Sequence, residues 1–168
     1  HVFYQDNDPK KDLPIEQNHV ALAMTGNAVG KAWSNKAEAY DYYTIKGMVE
    51  ALIEGLGLIE EISYQALQIT EMHPGQTAGI YLDETLIGFV GQVHPKIAKS
   101  YELKSAFVAE LNLDALITFE KVPLVFEAVS KYPAVSRDIA MLVNEENTNA
   151  EIAEVIQAAA GKFLTKLQ

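Results

Sequence analysis

Thr77-Ala78-Gly79-Ile80-Tyr81-Leu82-Asp83-Glu84-Thr85-Leu86-Ile87-Gly88-Phe89-Val90-Gly91-Gln92-Val93 is the stretch that decides how this chain is built. Apolar, β-branched and aromatic residues fill both halves, and the polar pair Asp83-Glu84 separates them. The pattern predicts a hairpin with strands over 77–82 and 85–93. Gly79, Gly88 and Gly91 lie inside these strands, where glycine weakens pairing unless a neighbouring chain element must come close.

Upstream of the hairpin, His73-Pro74-Gly75-Gln76 reads as a turn and Ser63 to Thr70 as a further strand. The clearest helix precedes them. Ile45, Met48, Val49, Leu52, Ile53 and Leu56 form one apolar stripe at helical spacing, predicting a helix from about Tyr40 to Leu56. Asp41 stands near its start, where the helix dipole favours an acid, and Gly55 and Gly57 are the candidate C-caps. Tyr40, Tyr42 and Tyr43 read as packing residues. Before the helix, His19 to Met24 reads as a strand ending at the turn Thr25-Gly26-Asn27. Ala28 to Ala39 resists assignment, and Trp33, the only tryptophan, is expected to anchor on the core. Asp6 to Asp12 is a polar loop.

Downstream, His94-Pro95 opens a helical turn through Ser100, and Ala106 to Leu113 alternates as a strand. Asp114 begins one more turn over Ala115 to Ile117. Residues 118–125 read as a junction, Phe126 to Ser130 as a strand, and Tyr132 to Val135 as extended chain, because Pro133 biases its predecessor away from helix. Ile139 to Val143 is expected to be a buried strand. Thr148-Asn149-Ala150-Glu151 has the capping-box pattern. It predicts a helix with Ile152, Val155, Ile156 and Ala159 on one face, ending near Gly161. The fold class expected is α+β: an antiparallel sheet with flanking helices over 1–121, then a partial second unit over 122–168. A strand and a helix without a return strand leave that unit incomplete.

With 168 residues, the chain can bury roughly two thirds of its unfolded surface. It contains no Cys, which excludes disulfides, thiolate metal sites and thiol catalysis together. No apolar run approaches the roughly 18 residues of a membrane span. The chain opens on His1 without a leading Met, which reads as a piece of something longer. Net charge is −10, and the basic residues are 12 Lys and a single Arg, Arg137. Residues 1–121 carry 9 basic and 17 acidic residues; residues 122–168 carry 4 and 6. An acidic chain repels phosphate backbones at long range, so RNA contact is expected only through a local patch of the second part.

Catalytic motifs are absent. His1, His19, His73 and His94 have no ligand spacing, and a structural or solvent-facing role is expected for them. Gly26 to Lys31 lacks the ending and the spacing of a phosphate loop. No Ser, His and acid share a recognisable frame, so an independent hydrolase is disfavoured. The residues therefore assign no catalytic, cofactor-binding or metal-ligating site.

Several segments in order resemble the β subunits of bacterial phenylalanyl-tRNA synthetases near their C-terminal end. They are Leu13-Pro14 with Glu16, then Thr25-Gly26, then Tyr40-Asp41-Tyr42-Tyr43 with Ile45-Lys46-Gly47. His73-Pro74-Gly75, Ile87-Gly88 with Gly91 and His94-Pro95, and Glu110 to Leu116 follow. Tyr132-Pro133-Ala134-Val135-Ser136-Arg137-Asp138-Ile139-Ala140 closes the series. The resemblance implies a non-catalytic copy of the class II synthetase core over 1–121 and the first half of a ferredoxin-like anticodon-binding domain over 122–168. It implies a cytoplasmic heterotetramer of two α and two β subunits that joins phenylalanine to tRNA using ATP and magnesium. The chemistry would belong to the α subunit, and the fragment alone would be inactive. Gln76 stands where the family commonly has Arg, Gln92 where Glu is common, and Tyr42 and Tyr43 stand for Phe.

Composition agrees with inactivity. Class II adenylation clamps ATP phosphates with planar, bidentate Arg side chains, which Lys does not reproduce. The one Arg lies outside residues 1–121. For Arg137 two readings stand: a brace against an acid at the start of the 139–143 strand, or, with Lys131, a contact to tRNA. The alternative to a synthetase module is a stand-alone protein- or RNA-binding module without enzymatic activity.

Overall fold

The computed structural model describes residues 1–5, 13–34, 36–58, 61–119 and 131–167. The chain divides into two compact units, His1–Leu124 and Val125–Gln168.

The first unit is organised by five antiparallel strands: β3 (His19–Thr25), β6 (Ile62–Ala66), β7 (Met72–Leu82), β8 (Thr85–Val93) and β9 (Ala106–Asn112). Their order across the sheet is β3-β9-β8-β7-β6. The expected hairpin is present, with Leu82 opposite Thr85. Cross-strand partners share a face, so register decides what is buried. Val20, Leu111, Gly88 and Ile80 form one row, and Leu22, Ala109, Val90 and Ala78 the next. Both rows carry the core.

Helix α1 (Tyr42–Gly55) packs on β8 and β9 and covers these rows. Ile45, Val49 and Ile53 are fully buried, and Leu52 and Leu56 pack against the same core. Met48, expected on the buried stripe, is 45% exposed. It lies at the margin of the stripe, rotated about 100° around the helix from Val49 and so off the buried line through 45, 49 and 53. The helix starts at Tyr42 because Asp41 caps it. The Thr44 N–H and hydroxyl donate to Asp41 Oδ1 at 2.8 and 2.6 Å. It stops because Gly57 adopts φ +72°. The Gly57 and Leu58 N–H groups then donate to the carbonyls of Glu54 and Ile53, and buried Leu58 closes the turn against the core.

Gly88 and Gly91 are sites of close backbone approach. A β-carbon on Gly88 would lie 2.0 Å from the Glu110 carbonyl oxygen, and one on Gly91 2.6 Å from that of Gln76.

Three boundaries differ from expectation. The strand expected over 63–70 ends at Ala66, and the chain reverses where Met72 N–H donates to the Ile69 carbonyl at 3.0 Å. His73-Pro74-Gly75-Gln76 is therefore not the turn but part of β7. It forms an irregularity in the ladder between Met72, opposite Val93, and Thr77, opposite Gly91. Proline, lacking an N–H, is tolerated at such a bulge. The last sheet strand stops at Asn112 rather than Leu113, because the Asn112 side chain accepts from Ala115 N–H and starts α3 (Leu113–Thr118).

The remaining elements of this unit are short. β1 (Val2–Tyr4) pairs with β2 (Ile15–Gln17), and β4 (Asn27–Val29) with β5 (Glu38–Ala39). Trp33 is fully exposed and anchors nothing, because the β4–β5 connection that carries it stands out in solvent. Helix α2 (Pro95–Ser100) follows β8 as expected, capped by His94. The 6–12 loop lies outside the described residues.

In the second unit, helix α4 (Asn149–Ala160) has the expected capping box, with Thr148 and Glu151 exchanging bonds. It ends at Gly161, whose φ is +54°. On its expected apolar face Ile152 and Ile156 are partly buried, whereas Val155 and Ala159 are exposed. Residues 139–143 form no strand, and Ile139, Met141, Leu142 and Val143 are all exposed. A strand needs a hydrogen-bonded neighbour, and no described segment pairs with this one. The strand expected over 126–130 lies outside the described residues.

Candidate nucleic-acid interface

Lys131 and Arg137, the residues expected to face RNA, are both exposed in a stretch without helix or strand. The Arg137 guanidinium donates from Nη1 to the neighbouring Ser136 carbonyl at 3.3 Å. It forms no ion pair with Asp138 or any other described acid, so the expected brace is not made among the described residues. No hydrogen bond joins Lys131 to Arg137.

In the first unit, a cleft of about 400 Å³ opens between the start of α1 and the irregular part of β7. Asp41, Tyr42, Tyr43, Gly75, Gln76 and Thr77 line it. The rings of Tyr42 and Tyr43 meet edge to face at 5.5 Å. The Asp41 carboxyl is held below its ordinary range, first by the Thr44 hydroxyl and then by the Thr44 N–H. Burial raises the Tyr42 phenol, with Tyr43 and Glu50 adding to it. Outside this lining, the Tyr64 hydroxyl is buried without a hydrogen-bond partner among the described residues, and burial pushes its pKa well above the usual phenol range. Lys46 lies 4.3 Å over the Tyr64 ring and pairs with Glu50.

This lining does not fit ATP with magnesium. Its one charged side chain is the Asp41 carboxylate, which repels phosphate, and no described group of three His, Asp or Glu gathers to hold a metal.

Sequence reasoning missed a polar joint that ties the start of β3 to the end of β9. Asn18 donates through N–H to Asp114 Oδ2 and through Nδ2 to Oδ1, both at 2.8 Å. The Leu113 N–H returns a bond to the Asn18 carbonyl. His19 Nδ1 lies 2.6 Å from Glu110 Oε1, and Asn112 Nδ2 donates to Gln17 Oε1 at 3.3 Å. His19, expected to be structural or solvent-facing, is structural, its side chain being 13% exposed. The partners are more than 90 residues apart in sequence, so only the register of β3 on β9 reveals them. Among the described residues no helix is long and apolar enough to cross a membrane.

The chain is 40% identical over 168 residues to the phenylalanine–tRNA ligase β subunit of Lactiplantibacillus plantarum, covering 99% of this chain and 21% of that protein. It is 42% identical over 168 residues to that of Streptococcus pneumoniae strain R6, covering 99% and 21%. It is 39% identical over 166 residues to that of Bacillus subtilis, covering 99% and 20%. The chain thus spans about a fifth of the length of these relatives. The family described as the phenylalanyl tRNA synthetase beta chain CLM domain matches residues 1–113, the whole five-stranded sheet with α1 and α2, and the chain belongs to that family.

Proposed function

We propose that this chain is a non-catalytic module of a phenylalanine–tRNA ligase β subunit. It supports the α subunit and helps position tRNA while the complete enzyme aminoacylates it with ATP and magnesium. The observation that carries the reading is the absence of Arg from residues 1–121 of a synthetase-family chain. The carboxylate-lined cleft supports it, because that cleft offers nothing to clamp phosphates. Residues 1–121 act as a class II-like scaffold, and residues 122–168 as the start of a ferredoxin-like anticodon-binding domain. Lys131 and Arg137 are its candidate tRNA contacts, exposed and free of carboxylate partners among the described residues.

The test is phenylalanine-dependent ATP–pyrophosphate exchange, measured for this chain alone and for the complete enzyme of α and β subunits. Exchange is expected from the complete enzyme and none from the chain. Exchange by the chain alone would overturn the proposal. In the complete enzyme, Arg137→Ala should weaken tRNA binding and flatten its salt dependence. Unchanged tRNA binding would remove Arg137 from the interface.

A further inference from the structure

We propose that the exposed corner made by α2 and the turn after it binds the ribose–phosphate backbone of tRNA through Lys96, Lys99 and Lys104 around Tyr101. This rests on the reading of the chain as part of a tRNA ligase, and it adds a contact in the first unit, where none was expected.

The argument begins with the distribution of charge. Residues 1–84 hold 5 Lys and 13 acids, whereas residues 85–109 hold 3 Lys and one acid, Glu102. This corner therefore carries a net positive charge within a strongly acidic unit. Lys96, Lys99 and Lys104 are all exposed, and none forms an ion pair with a described acid. Screening limits charge interactions to about 8 Å at physiological ionic strength, and within the corner's own stretch three lysines stand against one acid, Glu102, with Glu71 adjoining through its carbonyl bond to the His94 N–H.

The corner also carries a stacking surface. Tyr101 is 73% exposed. A tyrosine ring presented to solvent beside lysines is the combination that takes an unpaired base together with its phosphate.

The backbone holds these groups in place. The Glu102 and Leu103 N–H groups donate to the Lys99 and Ala98 carbonyls at 3.0 and 2.9 Å, closing α2 with a left-handed residue. That residue is Glu102, at φ +59°, where glycine would be unstrained. Ala98 is buried beneath the turn, and His94 Nδ1 caps the other end by accepting from Lys96 N–H. Lys96 and Lys99, three residues apart on the helix, are neighbours on one face. Lys104 follows directly on the pinned turn. The lysines and the ring therefore project from a fixed frame.

The experiment uses the complete enzyme of α and β subunits carrying Lys96→Gln, Lys99→Gln and Lys104→Gln together, with tRNA affinity measured across a salt series. The slope of log affinity against log salt should become shallower by about 2, each lost phosphate contact removing about 0.7–0.9. Replacing the same three residues with Arg should restore the slope, and Tyr101→Ala should weaken binding without changing it. An unchanged slope with tRNA-independent ATP–pyrophosphate exchange intact would overturn the corner and leave the ligase reading standing. Loss of association with the α subunit at unchanged tRNA affinity would also overturn it, assigning the corner to a protein contact. Failure of the unmodified enzyme to catalyse exchange would instead defeat the ligase reading.

Discussion

The Glu110 carbonyl oxygen occupies the space beside Gly88 so closely that a β-carbon on Gly88 would come within 2.0 Å of it. Gly88→Ala must push β8 from β9 along the row that also holds Ile80 and Leu111. A loss of about 3 kcal/mol is expected, the upper range for overpacking. Gly47 gives the contrast, since nothing lies within 4 Å of its β-position on the exposed side of α1. Gly47→Ala should raise stability by about 1 kcal/mol through helix propensity. Urea midpoints of the two variants moving in the same direction would contradict this reading of the sheet.

Core truncation separates the two sides of α1. Ile53 is fully buried, and Ile53→Ala should cost about 2–5 kcal/mol. Met48 is 45% exposed, and Met48→Ala should change stability by no more than about 0.5 kcal/mol. Equal losses at the two positions would show that the helix is turned from the orientation described.

The joint between Asn18 and Asp114 has a defined pH signature. The Asn18 side chain, and then its N–H, hold the Asp114 carboxyl below its ordinary value of 3.8. Unfolding breaks these bonds and returns the group to that value. The joint therefore stabilises the fold above it, and the contribution disappears as pH falls through the lower folded-state value. Asp114→Asn should lower the melting temperature at neutral pH and make its decline in acid shallower than the parent's. Parallel acid profiles for parent and variant would mean that the joint is not formed in solution.

At the turn after α2, Glu102 adopts φ +59°. An L-residue in that region costs about 1 kcal/mol or more. Glu102→Gly should hold or raise the melting temperature, and Glu102→Val should lower it, because branching at Cβ worsens the clash. Identical effects of Gly and Val would show that the residue is not left-handed.

What the sequence disclosed follows from how local each signal is. The stripe through Ile45, Val49 and Ile53 repeats at a helical period, and the 77–93 hairpin brackets its own turn, so both could be read from neighbours alone. Gly88 and Gly91 were legible as sites of close approach, although not what approaches them. The pairs β1–β2 and β4–β5 are two or three residues per strand, too short to show a period. Trp33 and residues 139–143 misled because apolar character states a preference for burial without supplying a partner. The Asn18–Asp114 joint was invisible because its members are 96 residues apart. Of the candidate interface, Lys131 and Arg137 were legible only as positive charges; their exposure came from the structure.

The placement of β3 has a consequence for synthesis of the protein. Its sheet partner is β9, and His19 meets Glu110 across a sequence separation of 91 residues. At about 5–20 residues per second, β3 emerges from the ribosome some 5–20 seconds before the strand that completes it. During that interval its apolar side chains Val20, Leu22 and Met24 have no sheet to join, and its unpaired backbone is a template for any passing strand. The hairpin of β7 and β8 closes early and locally, whereas β3 waits on a long loop closure that favours slow folding. Protection of the nascent chain from association is therefore most needed between completion of β3 and emergence of Asn112.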